Sequence, residues 1–531
     1  TISAGNRCAN LPAPGAARIS GVSEERLSFP RPELRRRTAR GAVVNGLFLG
    51  GAEALVLVQG LIVTVLLGPR AIGLYGIVTT TAITIVALKR VGIDEAFVQQ
   101  SEEGQEEEFQ RAFTLELALS AAFAVAIAAS APLVSSVYGD DRLLWLTLAV
   151  SYLPLAFALQ APTWIFFRRM DFVRQRLLQA VVPVVTFCVT VPLAAAGVGV
   201  WSLVIGPLAG NAAGCVAAIA VSPYRLRLRF DRDTRKRYFA FSWPIFVNAA
   251  ALLAVQQGQL LAFDLDSGLA AVGYITLAFT LTRYADRADQ IVATTIYPAI
   301  CAVRDRLDTL EELFVKSNRL TMMWALPFCA GFVLFAPDLV HLILGDKWVP
   351  AIVLLQGLAA AAAIQQVGYN WFSFYRAVGK PRPQAVESAV MVAAFGGLAI
   401  PGLIAFGAPG FVWGRIAGAV AMLAVRRHFV RRLLPRVELL TLGLRGVVPV
   451  LAAAAAAAAV RLALWGGERT PVQAVAEIVV FVAGCALATW LLERSLLREV
   501  AREARSPRLT AAAAAAGTRP EPLEPVAAGP S

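Results

Sequence analysis

Apolar stretches long enough to cross a lipid bilayer follow one another along most of the chain, separated by short polar connections. A membrane-spanning helix needs about 20 consecutive, mostly apolar residues. Fourteen segments approach this criterion, which predicts an all-α polytopic membrane protein. The predicted spans are 42–67, 72–97, 113–137, 143–166, 177–198, 200–221, 242–265, 269–302, 320–344, 349–375, 386–407, 409–426, 446–465 and 473–493.

The composition of the chain supports this class. Of its 531 residues, 57% are hydrophobic and only 16% are charged, with a mean hydropathy of +0.63. A soluble chain of this length would need far more charge on its surface. A net positive charge, here +13, is common among nucleic-acid-binding proteins. In this chain, however, the basic residues cluster between the apolar segments, where they determine membrane topology. Nucleic acid is therefore not a predicted partner.

Basic residues concentrate in every second connection between the predicted spans. The positive-inside rule then predicts that both termini and the long loops are cytosolic. The acidic connection SEEGQEEEFQR, 101–111, departs from this pattern, but acidic residues contribute little to topology. The basic set comprises Arg168, Arg169, Arg174, Arg176, the seven basic residues of RLRLRFDRDTRKR, Arg304, Arg306, Lys316, Arg319, Arg376, Lys380, Arg382, Arg426, Arg427, Arg431, Arg432 and Arg436.

An internal repeat relates the two halves of the chain. At an offset of 200 residues, Gly68 falls on Gly268 and Gly73 on Gly273. A second match, WIFFRRMDF against WFSFYRAVG, has an offset of 207. Six spans per repeat is an even number, so both copies have the same orientation and are parallel repeats. The pattern predicts two six-helix lobes around a central cleft, plus two C-terminal helices.

The predicted organisation has six parts. These are a disordered cytosolic tail over 1–40, an N-lobe over 41–222, a basic inter-lobe loop over 223–240, a C-lobe over 241–428, spans thirteen and fourteen over 429–495, and a disordered cytosolic tail over 496–531. The tails are rich in Pro, Gly and Ala, and such composition cannot bury a core.

The stretch LLGPRAIGLYGIVTTTAITIVALKRVGIDEAFVQQ, 66–100, resembles the opening of Wzx-type polysaccharide flippases. These share a fold with MATE multidrug exporters and lipid II flippases in the multidrug/oligosaccharidyl-lipid/polysaccharide exporter superfamily. The turn from Leu66 to Tyr75 matches the family's LLGPxxxGxY, and Gly92 to Gln100 matches the end of its second span. TTIYPAICAVRDR, 294–306, is similar to the stretch that ends span eight.

This resemblance implies a MATE-like transporter in the bacterial plasma (inner) membrane. It would move an undecaprenyl-diphosphate-linked oligosaccharide to the outer leaflet by alternating access, for exopolysaccharide, capsule or O-antigen-like synthesis. The implied partners are this lipid-linked substrate and the bilayer, with a polysaccharide polymerase and export machinery as further candidates. The alternatives are a cation-coupled multidrug exporter on the same fold and, disfavoured by the short outer turns, a membrane glycosyltransferase.

Polar residues inside predicted span eight define the principal candidate site. At 100° per residue, one stripe about 100° wide carries Thr276, Thr280, Arg283, Asp286, Arg287, Gln290, Thr294 and Tyr297, whereas Asp289 lies well off it. Paired arginines bind phosphate through bidentate hydrogen bonds, so this stripe is a candidate for holding a diphosphate or an acidic sugar. An internal salt-bridge cluster around Asp286 is the alternative.

Further candidates come from other spans. Glu53, near the middle of span one, is a candidate ion-coupling site, with an ion pair to an arginine of another span as the alternative. Lys89 and Arg90 lie at a similar depth in span two, where snorkelling to the headgroups is the alternative. Arg415 is either a cleft contact or part of a salt bridge. The uncharged candidates for binding sugar hydroxyls are Gln59, Gln256, Gln259 and Asn370. Hydrogen bonding between helices is the alternative for these amides.

No enzyme signature occurs in the sequence. The two histidines, His341 and His428, are far apart, no cysteine spacing indicates a metal site or a disulfide framework, and no P-loop is present. The sequence therefore predicts a transporter without a cofactor. Its energy source would be an ion gradient, the membrane potential or the substrate flux.

Overall fold

Helices account for nearly all of the described chain, and no strand occurs in that part of it. The computed structural model describes residues 31–88, 93, 97, 104–169, 171–229, 243–287, 289, 292, 296, 297, 300, 301, 303–378, 380, 382–465 and 470–505. The helices of the first half are α1 Arg31–Leu66, α2 Pro69–Leu88, α3 Gln105–Tyr138, α4 Arg142–Val150, α5 Leu153–Leu159, α6 Pro162–Arg168, α7 Phe172–Ala195 and α8 Ser202–Ala220.

The second half of the chain is also built of helices. Its helices are α9 Trp243–Thr282, α10 Leu307–Asp338, α11 Ala351–Gln366, α12 Trp371–Ala377, α13 Arg382–Ala394, α14 Ile400–Leu433, α15 Leu439–Trp465 and α16 Pro471–Arg505. Short 3-10 turns lie at Gly199–Trp201, Arg283–Ala285 and Asp346–Trp348, and π-helical turns at Leu339–Leu344 and Phe395–Ala399.

Eleven helical segments within the described residues are long and apolar enough to cross a membrane, and Gly50–Leu66 is a shorter apolar helix. Two of the eleven, Ala254–Ala285 and Pro383–Leu433, each contain a glycine whose backbone is not helical. Gly268 has φ 76° and Gly407 has φ 65°. The predicted all-α polytopic class is confirmed, whereas the number of fourteen spans stays a prediction.

Several helices extend beyond their predicted ends. Helix α1 begins at Arg31 and α16 ends at Arg505, so both run into the segments predicted as disordered tails. Helix α10 begins at Leu307, well before the predicted start at 320. The added turns are rich in Leu, Glu, Arg and Lys, which favour helix but carry too much charge to register in a hydropathy window. The remainder of both tails lies outside the described residues.

Two predicted spans are interrupted at corresponding places in the repeat. Predicted span four is three short helices, α4 to α6, and both Pro154 and Pro162 lie in the first turn of their helices, where proline is tolerated. Predicted span ten is divided between α11 and α12 at Gly368, which has φ 71°. These breaks turn polar side chains into the interior of each lobe.

The first and second lobes meet through the glycines that the repeat aligns. A Cβ atom added to Gly73 would lie 2.2 Å from the Leu269 carbonyl oxygen, and one added to Gly273 would lie 2.0 Å from the Pro69 carbonyl oxygen. Pro69 and Leu269 are themselves 200 residues apart, so the contact is reciprocal, as expected for two copies related by a two-fold axis. Only glycine allows the two helices to approach this closely.

The apolar core differs between the two ends of the bundle. At the end that contains the Gly73–Gly273 crossing, one continuous cluster includes Val63, Leu74 and Ile77 of the N-lobe with Val272 and Trp348 of the C-lobe. We call this the joined end. At the opposite end, the described core forms two clusters, one around Phe97, Phe109 and Ile165, the other around Phe314, Trp371, Phe374 and Val430. We call this the divided end, because each of these clusters belongs to one lobe.

Hydrogen bonds reinforce the joined end. The Lys347 amine donates to the Val65 carbonyl oxygen at 2.7 Å, and the Trp348 indole N–H donates to the Thr64 carbonyl oxygen at 3.1 Å. The loop before α11 in the C-lobe therefore caps the last turn of α1 in the N-lobe, where carbonyls have no partner within the helix. These contacts fix the two lobes together at this end.

The last two helices extend the C-lobe. Helices α15 and α16 pack on each other and on α10, and Arg319 of α10 forms an ion pair with Glu493 of α16. The Lys316 amine lies 2.5 Å from the Glu499 carboxylate. Charged residues near the ends of α10 and α16 therefore tie this pair of helices to the lobe.

Candidate functional site

A single ion pair crosses the cleft between the two lobes within the described residues. The Arg287 guanidinium lies 3.1 Å from the Glu53 carboxylate, and the two side chains are 49% and 35% exposed. At 1.5 Å per residue, Glu53 lies about 16 Å along α1 from Thr64 at the joined end. Because the hydrocarbon core is about 30 Å thick, the pair sits at membrane depth in a region open to solvent. Such a place is typical of a functional cleft.

Arg283 is a second cationic group of the same wall. Its side chain is exposed, and it forms no ion pair with any residue that the structure describes. The 3-10 turn Arg283–Ala285 follows α9 directly, so Arg283 and Arg287 lie about one turn apart. Thr280, one turn before Arg283, is also exposed. The predicted stripe therefore contains two exposed arginines and an exposed hydroxyl.

Asp286 is half-buried and has an uncharged partner. The Gln366 amide of α11 donates to its carboxylate at 2.7 Å, and no ion pair joins Asp286 to another described residue. The expected alternative, a salt bridge between Asp286 and a neighbouring arginine, is therefore not formed among those residues. The arginine that is paired, Arg287, has its partner in the opposite lobe.

Asp289 lies off the stripe, as its helical angle predicted. Its side chain is 0% exposed in the interior of the C-lobe, facing Thr321 of α10. Three residues that the sequence predicts in the cleft lie outside the described residues: Lys89, Arg90 and Gln290.

The candidate amides are divided between the cleft and the protein interior. Gln59 and Gln256 are half-buried, whereas Gln259 is buried. Gln257, next to them, donates to the Thr81 hydroxyl of α2 at 2.8 Å and so links the lobes. These residues lie on helices at the lobe interface, where donors and acceptors could meet sugar hydroxyls.

Asn370 does not line the cleft. The break at Gly368 turns its side chain into the C-lobe, where it is buried. Its amide donates to the Ser317 hydroxyl at 2.7 Å and its oxygen accepts from the Asn318 amide at 2.6 Å. The proposed contact between Asn370 and sugar is thus corrected: this amide joins α12 to α10.

A buried ionic network in the C-lobe was missed by the sequence reasoning. Arg426 of α14 is 6% exposed and bonds to the Glu387 carboxylate of α13 and to the Gln365 carbonyl oxygen. The Trp371 indole donates to the second Glu387 oxygen at 3.1 Å. The basic run RRHFVRR, which begins with Arg426, predicts a cytosolic topology residue at this position. A signal was present, because Glu387 is an acidic residue at the start of an apolar span.

Arg415 of α14 has no acidic partner among the described residues. Its guanidinium lies 5.7 Å from the centre of the Phe279 ring of α9, at cation–π distance. Its side chain also borders a small cavity between α11, α13 and α14, together with Gln365, Met391 and Gly418. The predicted salt bridge is not observed there, which leaves the cleft contact as the prediction for this residue.

The family of the chain follows from sequence comparison. A family model described as "Polysaccharide biosynthesis protein" matches residues 62–353, more than half of the chain. The chain belongs to this family. The succinoglycan biosynthesis transport protein ExoT of Rhizobium meliloti (strain 1021) is 24% identical over 472 residues, which cover 85% of this chain and 92% of that relative.

Solved structures confirm the fold of this polysaccharide biosynthesis protein. The lipid II flippase MurJ in an inward closed conformation matches with a TM-score of 0.65 at 12% identity, over 85% of this chain and 99% of MurJ. An inward-facing MATE family transporter of the MOP superfamily matches with a TM-score of 0.58 at 16% identity, over 73% and 96%. Together with the family model and the succinoglycan relative, this shared fold confirms the resemblance to Wzx-type polysaccharide flippases.

The protein is therefore a multi-pass, all-helical member of this polysaccharide biosynthesis family. Among the described residues, no group of three or more His, Cys, Asp or Glu side chains could hold a metal ion. The chemistry available in the cleft is that of guanidinium, carboxylate, amide and hydroxyl groups, which bind phosphates and sugars by hydrogen bonds and charge.

Proposed function

We propose that the protein flips an undecaprenyl-diphosphate-linked oligosaccharide from the inner to the outer leaflet of the bacterial plasma membrane by alternating access. The observation that carries this proposal is the pair of exposed arginines, Arg283 and Arg287, at membrane depth in the cleft of a polysaccharide transporter. Exposed cations at this depth are costly without a ligand or water. A diphosphate offers several oxygens to two forked guanidinium groups.

The orientation of the chain fits the direction of transport. The divided end contains the basic connections around Arg168, Arg304 and Arg431, which the positive-inside rule assigns to the cytosol. In this orientation the cleft opens toward the cytosolic leaflet, where lipid-linked sugars are assembled in the implied pathway. The described arrangement then corresponds to an inward-facing state that is ready to accept the substrate.

Glu53 gives the cleft a way to respond to its ligand. An exposed ion pair is worth at most about 1 kcal/mol, so an incoming diphosphate can take over Arg287 at little cost. Glu53 is then released from the opposite lobe, free to meet a proton, a cation or substrate hydroxyls. The contact between the lobes at this depth thus depends on whether substrate is present.

A multidrug exporter on the same fold is the second candidate function. Its typical substrates are organic cations, which Arg283 and Arg287 would repel. The relative named as a succinoglycan transport protein also favours a glycan. We therefore favour the glycolipid over the drug.

The test is flipping of a fluorescent lipid-linked oligosaccharide in proteoliposomes. Replacing both Arg283 and Arg287 by Ala should lower the rate by at least about tenfold, since each lost charge-assisted contact contributes about 1.5–3 kcal/mol. The matched control replaces Arg304 and Arg306, two exposed arginines beyond the cleft, and should leave the rate within about twofold. An unchanged rate in the cleft variant would show that these arginines do not hold the substrate.

A further inference from the structure

The interior of the C-lobe contains a carboxylate whose hydrogen-bonding capacity is unused. Asp289 is 0% exposed, and neither of its oxygens accepts a hydrogen bond in the described structure. The hydroxyl of Thr321, which lies beside it, donates to the Asn318 carbonyl oxygen at 3.0 Å. A buried ionised carboxylate without a donor is among the most unfavourable groups in a protein, because it loses its hydration and gains nothing in return.

Two amides of the C-lobe, Asn318 and Gln366, also have buried side-chain oxygens that accept no hydrogen bond. The Asn318 nitrogen donates to the Phe314 and Asn370 oxygens, and the Gln366 nitrogen donates to Asp286. Asp289 and these two amides therefore give the C-lobe several buried acceptor oxygens that no described donor satisfies.

Positive charge is also scarce around Asp289. Asp289 faces Asp286 on its own helix and Arg426 on α14, and Tyr369 lies near both aspartates. Arg426 is already bonded to Glu387. Asp286 also lies near Arg283 and Arg287 at the exposed wall. In the interior, however, Asp289 and Glu387 share one buried guanidinium, that of Arg426. The buried part of the cluster is therefore short of one positive charge.

A route joins this cluster to the cleft. Arg287 is exposed in the cleft, Asp286 is half-buried one position before it, and Asp289 is buried one further turn along the helix. Carboxylates one turn apart are neighbours on a helix face. A proton entering the cleft would thus meet Asp286 first and reach Asp289 through a short displacement.

We propose that Asp289 is a proton-binding site within the C-lobe, and that its protonation couples a pH gradient to transport. The bound proton converts the carboxylate to a neutral carboxylic acid, whose burial costs much less than burial of the ion. Loss of this proton creates a negative charge that attracts Arg426 and pulls on its bonds to Glu387 and the Gln365 carbonyl. The binding of the proton is independent of the substrate, whereas the coupling rests on the proposed function.

The binding half is tested on the purified full-length protein without substrate. The melting temperature of the wild type should fall by several degrees between pH 5 and pH 8, because folding keeps a proton that the unfolded chain releases. Asp289→Asn has the shape and donor capacity of the protonated acid, so this slope should disappear in it. Asp266→Asn, at an exposed acidic residue, is the control and should keep the slope.

A second measurement needs no variant. A hydrophobic carbodiimide attaches to protonated carboxyl groups in apolar surroundings, so mass spectrometry of the wild type should find Asp289 modified, and less so at higher pH. If Asp289→Asn keeps the wild-type slope, or if Asp289 is unmodified at pH 5, the site is not a proton site. If Na⁺ raises the melting temperature only when Asp289 is present, the site holds a metal cation and the proposal is overturned.

The coupling half is tested in proteoliposomes. An imposed pH gradient should stimulate flipping several-fold in the wild type and not in Asp289→Asn, which should retain basal flipping. Stimulation by a Na⁺ gradient instead, or an unchanged response in the variant, would contradict proton coupling. Absence of any flipping by the wild type would refute the proposed function while leaving the melting slope as an independent result.

Discussion

The two ends of the bundle are built differently, although the same helices run through both. At the joined end, backbone touches backbone at Gly73 and Gly273, and one apolar cluster includes both lobes. Toward the divided end, each lobe has its own core, and the described contacts between the lobes include the solvent-exposed pair Glu53–Arg287 and the hydrogen bond from Gln257 to Thr81. Close apolar packing resists separation, whereas an exposed ion pair can be exchanged for another partner. The difference indicates that the lobes pivot at the joined end and respond to ligand at the divided end.

The largest expected effect is at the divided end, inside the C-lobe. Replacing Glu387 by Gln leaves the Arg426 guanidinium buried without its carboxylate, and breaking a buried pair in this way costs about 3–5 kcal/mol. The free energy of unfolding should fall by this amount in a denaturant titration. Glu438→Gln, which removes a half-buried carboxylate also paired with arginines, is the control and should cause a much smaller loss. Equal losses in the two variants would show that the buried network stabilises the fold no more than the Glu438 ion pairs do.

The joined end is tested by adding a side chain where none fits. Gly273→Val would force Cβ against the Pro69 carbonyl, and overpacking of this kind costs about 1–3 kcal/mol or more. Gly73→Val should have a similar effect, because its contact with Leu269 is the equivalent one. The thermal midpoint would report both.

Gly60→Val on α1 is the matched control for this pair, since a Cβ there meets no atom within 4 Å. It should leave the midpoint nearly unchanged. If only one of Gly73→Val and Gly273→Val is destabilising, the reciprocal contact between the repeats is wrong.

The ion pair at the divided end should affect the distance between the lobes more than the free energy of unfolding. Glu53→Gln should change the free energy of unfolding by less than about 1 kcal/mol, because both side chains are well exposed. The distance between lobes at this end should nevertheless broaden in electron paramagnetic resonance measurements. The charge-swapped double variant, Glu53→Arg with Arg287→Glu, should restore the narrow distribution. A failure to restore it would mean that the pair does not hold the lobes.

The smallest effect concerns the connection after α14. Hydrogen bonds from Arg427 and then Arg431 hold the pKa of Glu438 below its usual value. A lowered pKa means that the contribution is present at neutral pH and is lost as the pH falls through the folded-state pKa. Amide exchange of residues 434–438, corrected for the intrinsic pH dependence, should therefore accelerate on acidification. Glu438→Gln should show no such acceleration.

Part of this comparison could be predicted from the sequence. The offset of 200 that aligns Gly73 with Gly273 predicted two parallel lobes, and helical periodicity separated Asp289 from Arg283 and Arg287. Periodicity assigns each residue a face but no partner. That the aligned glycines touch each other, or that Glu53 meets Arg287 from the opposite lobe, depends on how helices far apart in sequence cross.

The failures have the same origin. Asn370 was expected in the cleft because a hydropathy pattern treats span ten as one straight helix, whereas Gly368 bends it and turns the amide inward. Arg426 was counted among interfacial arginines, since composition alone does not distinguish a snorkelling side chain from one bonded to Glu387. Which polar groups are buried and bonded to one another depends on the tertiary structure, and a local sequence pattern does not show it.

The central claim is that the joined end and the divided end exchange roles during transport. Spin labels placed at Arg142 and Asp266 report the joined end, and labels at Arg174 and Arg306 report the divided end; all four are exposed positions in the structure. Pulsed distance measurements in proteoliposomes, with and without lipid-linked oligosaccharide, should show the divided-end distance shortening while the joined-end distance lengthens. Distances that remain unchanged, or that lengthen together, would contradict the account.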